Sequence, residues 1–540
     1  MTRSVALALT SLAFLVGPGA GAQSPLAACV DGTAETGGVA YPCDDVDLMS
    51  FVPRSAFAIG GSGEAPHNDV WGWTDPQTGI EYALVGTENG TGFVSLENPA
   101  APVVVGKLPT ANGRQSVWRD VKVYDDHVFV VADGSPGHGV QVFDLTRLRG
   151  VASPPVLFEA DAVYEGVGSS HNIVINEETG FAYAVGFGRG DSGGPLPTEC
   201  GNQGFHAIDV RDPKNPTFAG CFSSAALEIG TATPGYTHDG QCVVYTGPDP
   251  DYQGREICIG ANEVAVSIFD ATDKDDVRTL SQVFYPETRY THQGWLTPDQ
   301  RYFLTNDELD EVRGGQPTQR TIVLDLEDLD DPEFSFVYDS GLTTIDHNLY
   351  VRGRLVFESN YEAGLRILDA SQIGDGLLEE VAYFDTFPSR TTISGPCLPP
   401  QAGNCESFNG QWSNYPYFES GFVVANDRDR GLFVLRPAAS LGVGNADGPA
   451  LPMGYTLSAP RPNPSTGRVR LALQVAEAQH VRAELFDVAG RRLAVVYEGP
   501  VRPSGGITLS VSGAELPAGV YVLRVEGETF VAARRIVFTR

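Results

Sequence analysis

Positive charge is scarce in this chain: 36 lysines and arginines face 68 aspartates and glutamates, for a net charge of −32. A surface this acidic repels phosphate backbones and so excludes nucleic acid as a natural partner, while it favours solubility and cations. Long apolar runs are also missing. Val5 to Val16 is apolar but too short to span a bilayer, and no later stretch suits a transmembrane helix. Zinc–thiolate spacing is absent, because none of the eight cysteines forms a Cys-x-x-Cys pair. The acidic stretches Asp270 to Asp276 and Asp325 to Asp331 lack the Asp-x-Asp-x-Asp-Gly spacing of an EF-hand loop and read as polar turns.

What the chain does carry at its start is an export signal. Arg3 supplies the basic head, the apolar run follows, and Ala20-Gly21-Ala22 is a small-residue cleavage site. Residues 1–22 are therefore expected to be removed, leaving Gln23 first. In an exported chain an even number of cysteines implies disulfides. They fall as close neighbours, so the expected pairs are Cys29–Cys43, Cys200–Cys221, Cys242–Cys258 and Cys397–Cys405.

Glycine (62) and proline (37) are frequent, which suits many strands joined by many turns. The centre of the chain repeats. Units open at His67-Asn68-Asp69, Arg119-Asp120, His171-Asn172, His238-Asp239, His292-Gln293, His347-Asn348 and, degenerately, Ser413-Asn414. Each opening leads into alternating strands, and the third strand of a unit tends to end in Asp, as at Asp144, Asp209, Asp270, Asp325 and Asp369. This period fits four-stranded propeller blades. The expected fold is all-β: a seven-bladed β-propeller over residues 23–436, closed by an N-terminal strand near Ala56 to Gly60. Residues 437–462, rich in Ala, Gly and Pro, read as a linker. Alternating runs from 463 to 540 predict a small β-sandwich.

Two resemblances follow. Pro462-Asn463-Pro464-Ser465, Leu485-Phe486-Asp487-Val488-Ala489-Gly490-Arg491-Arg492, Leu516-Pro517-Ala518-Gly519-Val520-Tyr521 and Arg534-Arg535 resemble the type A sorting domain of the type IX secretion system. That resemblance implies handling by the secretion machinery, removal of the domain, and release or attachment to a surface glycolipid. The stretches Tyr41 to Leu48, Trp71 to Thr74, Trp118 to Val123, Tyr290 to Trp295, Asn306 to Glu311 and Ser359 to Arg366 resemble the choice-of-anchor B family, with its LVIVD repeats. This second resemblance implies export and a propeller and carries no known activity.

The chemistry-bearing pattern is the recurring histidine. His67, His171, His238, His292 and His347 each start an innermost strand, which in a propeller converges on one mouth of the central channel. Loops between second and third strands should add Glu88, Asn89, Asp133, Asn306, Asp307, Glu308, Asn360, Glu362, Asn426 and Asp427 to the same face. Two readings stand side by side. In one, each imidazole locks its own blade by bonding to a nearby Asn or Asp. In the other, the mouth binds a divalent cation or an extracellular ligand through His67, Arg119, His171, His238, His292, His347 and Asn360. The metal ligands would be His238, His292 and His347, and an enzyme built there would use Asp307 or Glu308 as general base. A binding module is preferred over an enzyme. Tryptophans 71, 73, 118, 295 and 412 read mainly as core packing, with ligand stacking as the alternative. Gly190-Asp191-Ser192-Gly193-Gly194-Pro195 matches a serine-protease signature, but no base-bearing segment accompanies it, and it reads as a glycine-rich loop. Arg189-Gly190-Asp191 is too short to be specific.

Overall fold

In the computed structural model, the described residues are 25–539 apart from 62, 188–203, 225–234, 314–315, 389–407, 444–454 and short segments between 458 and 530. The export signal, Cys200, Cys397, Cys405, the 189–195 loop, Pro462 to Pro464 and Val488 to Gly490 lie outside them. No described helix is long and apolar enough to cross a membrane.

The described chain is almost wholly β. From residue 46 to 437 it makes seven sheets, each built on four strands in antiparallel succession, and Val156–Leu157 adds a short parallel fifth strand to the first. The innermost strands are His67–Thr74, Arg119–Tyr124, Asn172–Asn176, Asp239–Val244, Thr291–Leu296, Asn348–Arg352 and Gln411–Tyr415. Each lies against the next, and Gln411–Tyr415 returns to His67–Thr74, so the sheets close into a ring.

Burial follows the same circle. Each neighbouring pair of sheets shares its own apolar cluster. Tyr245, Ile257 and Ile268 of the fourth meet Phe303, Ile322 and Leu324 of the fifth. Leu304 and Val323 of the fifth meet Leu349, Val356 and Leu368 of the sixth. Val70, Ala83 and Val85 of the first meet Val424, Leu432 and Val434 of the seventh. These strands are buried on both faces, which is why their sequences read as short apolar runs. Truncating one such side chain, for example Phe303→Ala, costs about 3–5 kcal/mol.

Two repeated devices shape the blades. A register shift separates the third and fourth strands in the first, third, fourth, fifth and sixth sheets, at Phe93/Val94, Ala207/Ile208, Ile268/Phe269, Val323/Leu324 and Ile367/Leu368. Such bulges add twist to the outer strand. The Asp that ends a third strand accepts a hydrogen bond from the backbone N–H two residues on, as Asp209 does from Arg211, Asp270 from Thr272, Asp325 from Glu327 and Asp369 from Ser371. This Asx turn explains the recurrent aspartate.

The ring is closed by Val46–Pro53, which pairs antiparallel with Gly431–Pro437 as the outer strand of the seventh sheet. The expected position, Ala56 to Gly60, instead forms short 3-10 turns. Gly60 has φ of 65°, a conformation a strand cannot use. The preceding hairpin, Thr33–Thr36 with Val39–Asp44, extends the sixth sheet beyond Glu379–Phe384. The Cys29–Cys43 and Cys242–Cys258 disulfides are present, and Cys221 is disulfide-bonded.

The stretch read as a linker is partly structured. Leu441 and Val443 pack into the core between the sixth and seventh sheets, and Tyr455–Leu457 pairs with Arg468–Val475. The C-terminal sandwich sets that pair and Ile507–Ser512 against a second sheet of Arg492–Val501, Gln479–Asp487, Gly519–Glu526 and Val531–Phe538. Val469, Leu471, Leu473 and Val475 alternate into its core.

Candidate functional site

At the end of the ring where the innermost strands begin, six aromatic rings from successive blades form a file. Trp118 lies 6.1 Å from His171, His171 4.4 Å from His238, His238 4.3 Å from His292, His292 4.5 Å from His347, and His347 4.9 Å from Trp412, all between ring centroids. With Arg119, Asn172 and Asn348 they line one pocket at the mouth. The strand starts set this geometry: one ring per blade, carried at the same height around the axis.

The mouth has a floor. Below the rings lies a buried charged layer, in which Lys122 Nζ is 2.5 Å from Asp120 and 3.5 Å from Asp69. Burial and the Asp120 charge push the neighbouring Asp239 carboxyl up to about 7. Deeper still, Lys122 Nζ sits 4.5 Å above Trp71, and Trp71 meets Trp295 at 6.4 Å, Tyr350 at 5.6 Å and Tyr415 at 5.0 Å. These side chains come from the first, fifth, sixth and seventh sheets, so the axis is crossed by aromatics and the channel is blind at that level.

The histidine hydrogen bonds run between blades, not within them. His238 Nδ1 donates to the His292 carbonyl at 2.8 Å, and His347 Nδ1 donates to the Trp412 carbonyl at 2.5 Å. His171 Nδ1 faces Asp133 of the second sheet at 3.0 Å. The expected locking of each blade by its own histidine is thus replaced by latches to a neighbour. A carbonyl only accepts, so these bonds place the hydrogen on Nδ1 and leave Nε2 as the lone-pair nitrogen.

Nε2 of His292 and His347 both face one carboxylate. Glu308 lies 3.7 Å from the first and 3.8 Å from the second, and its Oε1 accepts from the Tyr361 hydroxyl at 2.8 Å. The ligand atoms of His292, Glu308 and His347 lie within 4.8 Å of one another. Burial holds His347 down at about 3. Burial, with the imidazoles of His238 and His347 beside it, holds His292 well below the ordinary value. Burial pushes Glu308 up to about 7 against the opposing pull of the Tyr361 hydroxyl. Two neutral imidazoles and a carboxylate make a donor set suited to a divalent transition metal, whose ligands must be deprotonated.

Several expected residues fall elsewhere. His67 is enclosed: its Nδ1 bonds Asn426 at 2.8 Å, Phe57 stands edge-on 4.8 Å away, and burial lowers it to about 3. Asn360 donates to Gln319 and Glu358 and does not line the mouth. Asp307 accepts from Arg289 N, Tyr290 N and the Tyr285 hydroxyl, which pins a loop and leaves it no role as a base at the mouth. His238 belongs to the file, but the compact ligand cluster takes Glu308 in its place. Trp71 and Trp73 are core, as read, whereas Trp118 is 43% exposed. Trp118 and Trp412, for which the sequence offered ligand stacking only as the alternative to core packing, both line the mouth. The signal was there, since both lie where other blades place a histidine.

No curated protein matches this chain. Among solved structures it resembles PorZ, a surface component of the type IX secretion system of Porphyromonas gingivalis, at 12% identity and a TM-score of 0.39, covering 86% of this chain and 58% of that one. It also resembles a Lactobacillus plantarum protein (12% identity, TM-score 0.39, 83% of this chain and 99% of that one) and Kuenenia stuttgartiensis hydrazine synthase (12%, 0.40, 66% and 92%). At these TM-scores the likenesses decide nothing about chemistry. Residues 461–539 match the secretion system C-terminal sorting domain family, and with that tail the chain is an exported protein, handled by type IX secretion and bound for the cell surface or beyond.

Proposed function

We propose that the ring is an extracellular binding module whose working face is the histidine mouth. The single observation that carries this reading is the file from Trp118 to Trp412, with Nε2 of His292 and His347 turned to Glu308. A divalent transition-metal cation on those three side chains would sit between two indoles, with a buried arginine on the same wall. Arg119 donates from Nε to the Thr87 carbonyl and contacts His138, while its Nη2 is buried without a partner. A ligand bearing an acidic group would satisfy that nitrogen and stack on Trp118. The blind channel supports binding over conduction. The choice-of-anchor B resemblance fits the same reading, since it implies an exported propeller with an interchangeable C-terminal anchor.

A second reading, a metal-assisted hydrolase or lyase, puts the cation on His238, His292 and His347 and leaves Glu308, which burial pushes up to about 7, as the general base. Elemental analysis of the purified chain tests both. One transition-metal ion per chain is expected, lost in His292→Ala and His347→Ala with folding retained. A metal-free wild type, or variants that keep the ion, would sink the cation seat. Turnover of ester or phosphoester probes that vanishes in Glu308→Gln would move the conclusion to the enzyme.

A further inference from the structure

The turn that carries Glu308 carries a second cluster. Asp310 and Glu311 follow strand Tyr302–Asp307, and Asp346 immediately precedes His347. Their ligand oxygens lie within 4.8 Å of one another. All three are buried, with exposures of 0%, 8% and 4%. The nearby cation is Arg320, whose Nε and Nη2 reach Asp310 Oδ2 at 2.7 and 2.5 Å and whose backbone N–H donates to Asp346 Oδ2 at 3.3 Å. Arg320 also reaches the exposed Glu287 at 3.7 Å.

The oxygens turned away from Arg320 are the informative ones. Asp310 Oδ1, Asp346 Oδ1 and both oxygens of Glu311 are buried without a hydrogen-bond donor. Buried polar atoms are normally satisfied, and buried carboxylates need a counter-charge. With all three ionised, the carboxylates outnumber the Arg320 guanidinium by two charges. A divalent cation closes that gap. The oxygens lie close enough together for one ion to reach all three side chains, and an all-oxygen set with a bidentate-capable glutamate is a hard-cation site.

We propose that Asp310, Glu311 and Asp346 bind one calcium ion, distinct from the histidine seat, and so fix the turn that presents Glu308. The ion takes the four unpaired oxygens and leaves the Arg320 contacts in place.

Isothermal titration of CaCl2 into the chelator-treated full chain tests this. One calcium per chain is expected, with a rise in melting temperature, and MgCl2 should give neither. Glu311→Gln and Asp346→Asn should abolish the calcium heat and the thermal shift. Metal-free Glu311→Gln should melt no lower than the metal-free wild type, since it replaces a buried carboxyl whose oxygens have no donor. His292→Ala should bind calcium as the wild type does, which separates this site from the mouth. No calcium heat in the wild type, equal binding of magnesium, or an undiminished isotherm in a folded Glu311→Gln would overturn the proposal.

Discussion

Arg119 is 2% exposed, and its partners are a peptide carbonyl and an imidazole instead of a carboxylate. That arrangement needs His138 neutral: Nδ1–H donates to the Gly139 carbonyl, and Nε2 accepts from Arg119 at 3.0 Å. Burial, then the guanidinium, lowers His138 to about 4. The unfolded chain keeps the ordinary value of 6.5, so between these values it takes up a proton that the folded chain refuses. Stability therefore falls as pH drops from about 6.5 towards about 4, by at most about 1.4 kcal/mol per pH unit from this residue. Urea unfolding of His138→Gln should show a shallower decline across that window, and an unchanged slope would mean that the imidazole already charges in the folded state. His138 was silent in the sequence because it lies in a loop outside the repeat. For the tryptophans the sequence left core packing and ligand stacking open, and Trp412 is placed for both: it is buried with Ile345 and Tyr361 and also ends the file at the mouth.

At the level of elements, the recurrent openings and terminal aspartates made the blades legible, because each repeat solves the same local problem. The closing strand was harder. Val46–Pro53 reads as VDLMSFVP, and a register shift between Leu48 and Ser50 buries both Leu48 and Met49, which breaks the alternation that marks a strand. The hairpin before it is tied by Cys29–Cys43, separated by 14 residues. Cross-linking a loop of that size contributes about 3 kcal/mol in the chain-entropy account. Cys29→Ser with Cys43→Ser should therefore lower the denaturant midpoint and loosen the sixth and seventh sheets first. Hydrogen exchange should show early opening at Gly431–Pro437, and uniform loss of protection around the ring would count against a local clasp.

For the whole molecule, the C-terminal motifs made export legible from sequence alone, and the match of residues 461–539 to the sorting-domain family bears that out. Removing residues 461–539 should leave the ring folded but retained inside the outer membrane, as cell fractionation would show; normal surface delivery would contradict the tail's role. The net charge of −32 suits the calcium-containing exterior in which an acid pocket can fill. Binding chemistry stayed illegible because it depends on which atoms face each other. Asp307 and Glu308 are adjacent in sequence, yet one pins a loop and the other meets two imidazoles.

The export tail hangs from the strand that completes the circle. Gly431–Pro437 is gripped by Val46–Pro53 on one side and Val423–Asp427 on the other, and the chain then runs by way of Leu441 towards the sandwich. Traction applied to the tail is delivered to the one joint where the two ends of the ring are zipped together. A blade in mid-circle would pass such a load to covalent neighbours on both sides, whereas here the resisting link is a row of hydrogen bonds and the cystine-tied hairpin that leads into it.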